Sequence, residues 1–159
     1  MQDRSAVEES RTPVGRALTA GATGALLLTG LHEAARRLLA EAPRVDVIGK
    51  RALARALTSI GLRPARGRRL FRQTLAAEVL GNTLYYVLVS ASSPRRVLRN
   101  GLLLGAAAGL GAVVLPPWLG LGRREVRRTP LTSALTVASY TAGGLAAGSL
   151  IRLLADEPD

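Results

Sequence analysis

The chain has 159 residues, 48% of them hydrophobic and 21% charged, and 22 Lys and Arg against 11 Asp and Glu give a net charge of +11. That length suits a single domain. The absence of cysteine excludes disulfides, thiolate metal sites, iron–sulfur clusters and a thiol nucleophile, and the lone histidine, His32, excludes multi-histidine metal sites.

The apolar content is too high for global disorder. A basic balance marks either nucleic-acid binding or loops facing an anionic membrane surface. Placement decides between them, because the charges crowd into short stretches separated by long Leu/Ala/Gly segments.

Residues 1–16 are polar, and Thr12-Pro13 is a helix start signal. The first span, about 16–39, contains the uncharged run 17–31 and continues through His32, Glu33, Arg36 and Arg37. As a helix it extends about 33 Å at ~1.5 Å per residue, enough to cross a hydrocarbon core of ~30 Å. A cleaved signal peptide is not expected, since no net positive charge precedes the run and no small-x-small site follows it.

A basic connection, 40–71, comes next, with Pro43 ending the first helix. Within it, Ile48, Leu53, Leu57 and Ile60 share a helical face, with Lys50, Arg51 and Arg55 elsewhere on the wheel. This predicts a short amphipathic helix on the membrane surface, its length limited by Gly49 and Gly61. The stretch 63–69 reads as a basic turn.

The second span, about 72–93, holds Glu78, Asn82, Tyr85 and Tyr86 and closes at a polar turn, 92–96. The third, about 97–115, ends at the breaker Pro116-Pro117, beside Trp118 at the lipid–water boundary. A basic loop, 123–128, leads to the fourth span, about 130–152, and then to an acidic tail. The uncharged runs 101–122 and 129–151 are 22 and 23 residues long, which meets the length criterion for membrane helices. The expected fold is all-α: one integral membrane four-helix bundle over 1–159, with an interfacial helix between spans one and two.

Orientation follows from Lys and Arg. Eleven lie in 36–72 and four in 123–128, against seven at the other end of the spans. The positive-inside rule puts both basic connections in the cytoplasm and the termini outside, in a bacterial cytoplasmic membrane. The three Arg of the short second turn oppose that assignment.

Gly101, Gly105 and Gly109 form two overlapping GxxxG units, and Gly144 and Gly148 form another. Lipid offers no hydrophobic drive between helices, so such stripes let backbones approach closely. They either join spans three and four within one protomer or form a seam towards a homo-oligomer or another membrane protein.

The polar candidates are His32, Glu33, Glu78, Asn82 and Tyr85, with Tyr86 an equivalent choice to Tyr85. Glu33 lies six residues before Leu39 and Glu78 six after Arg72. Antiparallel spans therefore place both carboxylates about 9 Å from the same membrane face at ~1.5 Å per residue. Intramembrane acids are costly and usually face the bundle interior. One reading pairs Glu33 with Arg37, or Glu78 with Arg36 or Arg37, as structural ion pairs. The other makes two adjacent carboxylates a proton- or cation-responsive site.

Three mixed ligands without a repeated Glu-x-x-His pattern do not predict a metal, and no cofactor is expected. No serine has a supporting histidine, so no enzyme is expected. Arg66, Arg68, Arg69, Arg123 and Arg124 are candidates for anionic lipid head groups and, more simply, topology determinants. Nucleic-acid binding lacks the stacking aromatics it needs. The expected function is a non-enzymatic accessory or assembly subunit packed through glycine faces. The alternative is a homo-oligomeric proton or cation transporter or channel.

Overall fold

The computed structural model describes residues 13–91, 93 and 95–155. Residues 1–12, the acidic tail 156–159, and Ser92 and Pro94 of the second turn lie outside them. The described chain is all-helical: α1 Pro13–Leu38, α2 Val45–Ser59, α3 Gly67–Val87, a 3-10 turn Leu88–Ala91, α4 Val97–Trp118, the single turn α5 Arg124–Arg127, and α6 Pro130–Ala155.

Three of these helices, α1, α4 and α6, are long and apolar enough to cross a membrane. Helix α3 has 21 residues, about 31 Å at ~1.5 Å per residue. It falls outside that set because Arg68, Arg69, Arg72 and Glu78 lower its hydropathy. It also starts five residues earlier than the pattern predicts. Arginine is a good helix former, so the basic stretch continues the helix back to Gly67, whose φ of 57° marks the start.

The distribution of side chains is inverted relative to a water-soluble bundle. Inside α1 lie Ala17, Ala20, Gly21, Gly24 and Ala25. Outside are Leu26, Leu27, Leu84, Leu103 and Leu110, all well exposed. Small residues inward and large apolar ones outward is the arrangement expected where lipid, not water, is the solvent. Several threonine hydroxyls on these helices are satisfied locally. Thr19 donates to Gly15 O at 2.9 Å, Thr136 to Thr132 O at 2.9 Å and Thr141 to Val137 O at 2.8 Å. Such back-bonding is what a polar side chain needs where no water can reach it.

Helices α4 and α6 pack antiparallel along the predicted glycine stripes. A Cβ on Gly101 would lie 2.3 Å from Gly144 O, and one on Gly105 2.6 Å from Tyr140 O. One on Gly109 would lie 2.7 Å from Val137 Cα, and one on Gly148 3.0 Å from Val97 O. The stripes therefore face each other within one chain. A second close crossing, which the sequence reading did not single out, joins α1 to α6, where a Cβ on Gly24 would lie 2.5 Å from Gly143 O. Tyr85 and Tyr86 then tie α3 into the bundle. Tyr85 donates to Leu104 O of α4 at 2.9 Å and Tyr86 to Tyr140 O of α6 at 2.7 Å.

Helix α4 passes through Pro116-Pro117 to Trp118 instead of ending at 115. Proline's fixed φ suits a helix, but it has no N–H to give to the carbonyl four residues back, so the helix loses two ladder bonds here and ends within a turn. That turn is closed by Leu119 N–H to Leu115 O at 2.9 Å and Leu121 N–H to Pro116 O at 2.8 Å.

The two basic connections meet at one end of the bundle. Arg51 of α2 donates to Leu121 O and to Glu125 at 2.6 Å each, and Arg55 donates to Leu119 O and, at 2.9 Å, to Gly120 O. The Arg44 N–H bonds Glu125 O at 2.8 Å, and the Thr132 hydroxyl bonds Glu41 O at 2.8 Å. Helix α2 is thus strapped to the 119–128 loop while its other side rests on α3. It ends at Gly61, φ 77°, where Leu62 N–H bonds Leu57 O at 2.9 Å. Gly49 does not shorten it; it sits mid-helix at the α3 contact.

Candidate functional site

Between α1, α2, α3 and α6, at the end carrying the basic connections, lies a pocket of about 360 Å³. Its α1 side is built at helical spacing from Leu28, Thr29, His32, Glu33 and Arg36. Its α3 side is built the same way from Phe71, Thr74, Leu75, Glu78 and Asn82. Spacings of three, four and seven residues within each set keep it on one helix face. Tyr140 of α6 and Asp46 of α2 also line it.

Of the sequence candidates, His32, Glu33, Glu78 and Asn82 line this one pocket. Tyr85 does not line it, because its hydroxyl points to α4, and Tyr86 is buried against α6. The two carboxylates are not equivalent. Glu33 is held by its own helix, with Arg36 Nη2 and Arg37 Nε both 2.7 Å from Oε1. That matches the structural pairing expected for Glu33, and it leaves Glu78 without either Arg36 or Arg37.

Glu78 makes no hydrogen bond or ion pair among the described residues. Its charged neighbours are Asp46 and Lys50 of α2. Lys50 is already engaged, with Nζ 3.0 Å from Asp46 Oδ2 and 5.6 Å from the Phe71 ring centroid. The carboxylate partner of Glu78 is therefore Asp46, not Glu33. Sequence depth arithmetic missed it because Asp46 belongs to the connecting helix. The signal was Gly49: a Cβ there would lie 2.1 Å from Glu78 Oε1 and 2.7 Å from Thr74 Cγ2. Only glycine lets α2 come this close and bring Asp46 to the pocket.

Several buried polar atoms here have no hydrogen-bond partner: His32 Nε2, Asp46 Oδ1 and the Thr74 hydroxyl. Asp46 Oδ1 has only the Arg44 guanidinium, at 3.7 Å. The His32 ring is edge-on to Tyr140, with centroids 5.6 Å apart. Buried polar groups are normally paired, and each orphan requires an explanation. Three such atoms on residues that line one cavity, beside the unpaired Glu78 carboxylate, describe a site with unmet hydrogen-bonding capacity.

No group of three His, Asp or Glu among the described residues is arranged to hold a metal ion. Arg66, Arg68, Arg69, Arg123 and Arg124 are all exposed and lie away from the pocket lining. Compared with protein-family models, curated proteins and solved structures, the chain has no match.

Proposed function

We propose that this chain is a non-enzymatic integral membrane protein of four spans, with α3 as the fourth, that receives a positively charged group in the pocket at Glu78. The carrying observation is the Glu78 carboxylate, which lines a cavity without a cation of its own while its neighbour Asp46 holds Lys50. An acid at this depth is retained at a cost, and a cationic ligand or a proton offsets that cost. Helix α3 has the length of a span, and its Arg residues cluster within the first turns, where they reach the head-group region. Fifteen of the 22 Lys and Arg lie at the pocket's end, which supports a cytoplasmic placement for it in a bacterial inner membrane.

The accessory-subunit reading drew in part on the glycine stripes, and these face each other inside the chain. The cation-responsive reading keeps its acid and changes its partner. The test is modification by a hydrophobic carbodiimide, which attacks protonated carboxyls in apolar surroundings, followed by peptide mass spectrometry. Modification is expected at Glu78, with Glu33 spared, and is slowed by sodium or tetramethylammonium ions. Equal modification of the two acids, or no protection by either cation, overturns the reading.

A further inference from the structure

The charged group that the pocket receives is narrowed by what the pocket lacks. Its interior holds two carboxylates, Glu78 and Asp46, and both Asp46 Oδ1 and the hydroxyl of Thr74, which is 3% exposed, have no hydrogen-bond partner among the described residues. A group that carries several N–H donors and a positive charge satisfies these together.

The mouth has the opposite character. Arg36 and Arg37 line the same cavity. Glu33 engages Arg36 through Nε and Nη2 and Arg37 through Nε, which leaves further guanidinium N–H groups on each for an anion. Cavity walls of Leu28, Leu75 and Phe71 accept an apolar body.

The cavity also reaches from the depth of Glu78 out to the last turns of α1 and the first turns of α3. It lies at the end of the bundle that carries the strapped amphipathic helix α2, the last turn of α1 and Trp118, which is 85% exposed. An exposed tryptophan beside basic side chains marks the lipid–water boundary.

From this arrangement the geometry points to a primary-ammonium phospholipid, its phosphoethanolamine head group seated with the ammonium on Glu78, Asp46 and Thr74 and the phosphate on Arg36 and Arg37. This assignment rests on the cation-receiving reading and adds its chemistry. A primary ammonium brings three N–H donors, whereas a trimethylated head group brings the same charge and none. A head group with phosphate but no cation meets Arg36 and Arg37 and leaves Glu78 unpaired.

The experiment is native mass spectrometry of the full-length chain released from nanodiscs holding equal amounts of phosphatidylethanolamine, its mono-, di- and trimethylated forms, and phosphatidylglycerol. Retention is expected to fall stepwise with each methyl group, to about a tenth for the trimethylated form, one tenfold step being ~1.4 kcal/mol. Equal retention across the series overturns the assignment, as does preference for phosphatidylglycerol.

Soluble phosphoethanolamine is the second arm. Failure to displace the lipid at millimolar concentration supports the membrane source, and full displacement at that concentration overturns it. The third arm is Glu78→Gln, checked for unchanged thermal unfolding: the methylation series is expected to flatten. A series as steep as in the wild type overturns the ammonium's placement. Where Glu78→Gln unfolds the protein, the wild-type series alone still decides. Cation protection of Glu78 from carbodiimide together with a flat methylation series removes the lipid assignment and leaves the cation-receiving reading standing.

Discussion

The α4–α6 seam and the α2-covered end of the bundle solve the same problem in opposite ways. Both bring helices close enough for a backbone to touch its neighbour, and both use glycine to do it. Along the seam the neighbours are other backbone atoms: Gly144 O, Tyr140 O and Val137 Cα. No side-chain polarity remains there to be satisfied. At the α2–α3 contact the glycine, Gly49, abuts Thr74 and Glu78, and polar atoms remain without partners. The first arrangement holds the bundle together, and the second leaves unpaired polar groups ready for a ligand.

Substitution at the seam is the strongest way to break this contrast. Gly144→Leu has no space, since even its Cβ would lie 2.1 Å from Gly101 O and the obstacle is backbone. The expected loss is about 3 kcal/mol, the upper range for overpacking, read as a fall in unfolding temperature in detergent. The oligomeric state is expected to stay as in the wild type, because the seam lies inside one chain.

Gly49→Ala is the matching test at the polar end. The atom it meets first is the end of a flexible Glu78 side chain, with Thr74 Cγ2 behind it. We expect about 1–2 kcal/mol, with α2 lifting from α3. Faster tryptic cleavage at Lys50, Arg51 and Arg55, with the α4–α6 core intact, is the readout. Cleavage unchanged from the wild type would mean that α2 does not depend on this contact.

Tyr86→Phe removes one interhelical hydrogen bond, from its hydroxyl to Tyr140 O at 2.7 Å, and keeps the ring. The expected cost is about 0.6–1 kcal/mol by thermal unfolding, in the range of such bonds between membrane helices.

The smallest effect is expected from pH at the strap. A backbone hydrogen bond and the Arg51 guanidinium hold the Glu125 carboxyl below its ordinary 4.5. Because the folded value is the lower one, the strap contributes fully above pH 4.5 and weakens as the pH falls through the folded value. Arg51 is half exposed, so the contribution stays under about 1 kcal/mol. Amide exchange in 119–128 is expected to quicken on acidification in the wild type, and to show little pH dependence in Glu125→Gln.

Much of this molecule is legible in its sequence because lipid imposes simple rules. Uncharged runs of 22 and 23 residues give α4 and α6 directly, and the glycine spacing in 101–109 and 144–148 predicts a close helix contact. Glu33 and Glu78 emerge at one depth, with His32 adjoining Glu33 and Asn82 one turn deeper than Glu78, because rise per residue is constant along a helix. The pairing is harder to read. Glu33 is answered by its own helix, whereas Glu78 has no counter-ion among the described residues and is joined by a second acid, Asp46, 32 positions earlier in a helix that the pattern placed on the surface.

Composition and periodicity determined that the chain is helical, that three of its helices suit a membrane, and that its charge gathers at the connections. Those are properties of single segments, each fixed by its own hydropathy and backbone propensity. Only the tertiary structure decided that the glycine stripes face each other, that Tyr85 turns away from the acids, and that Asp46 joins Glu78. Those outcomes depend on the rotation and translation of one helix against another. The close contacts at Gly49, Gly24 and Gly144 set that geometry, and no single segment carries it.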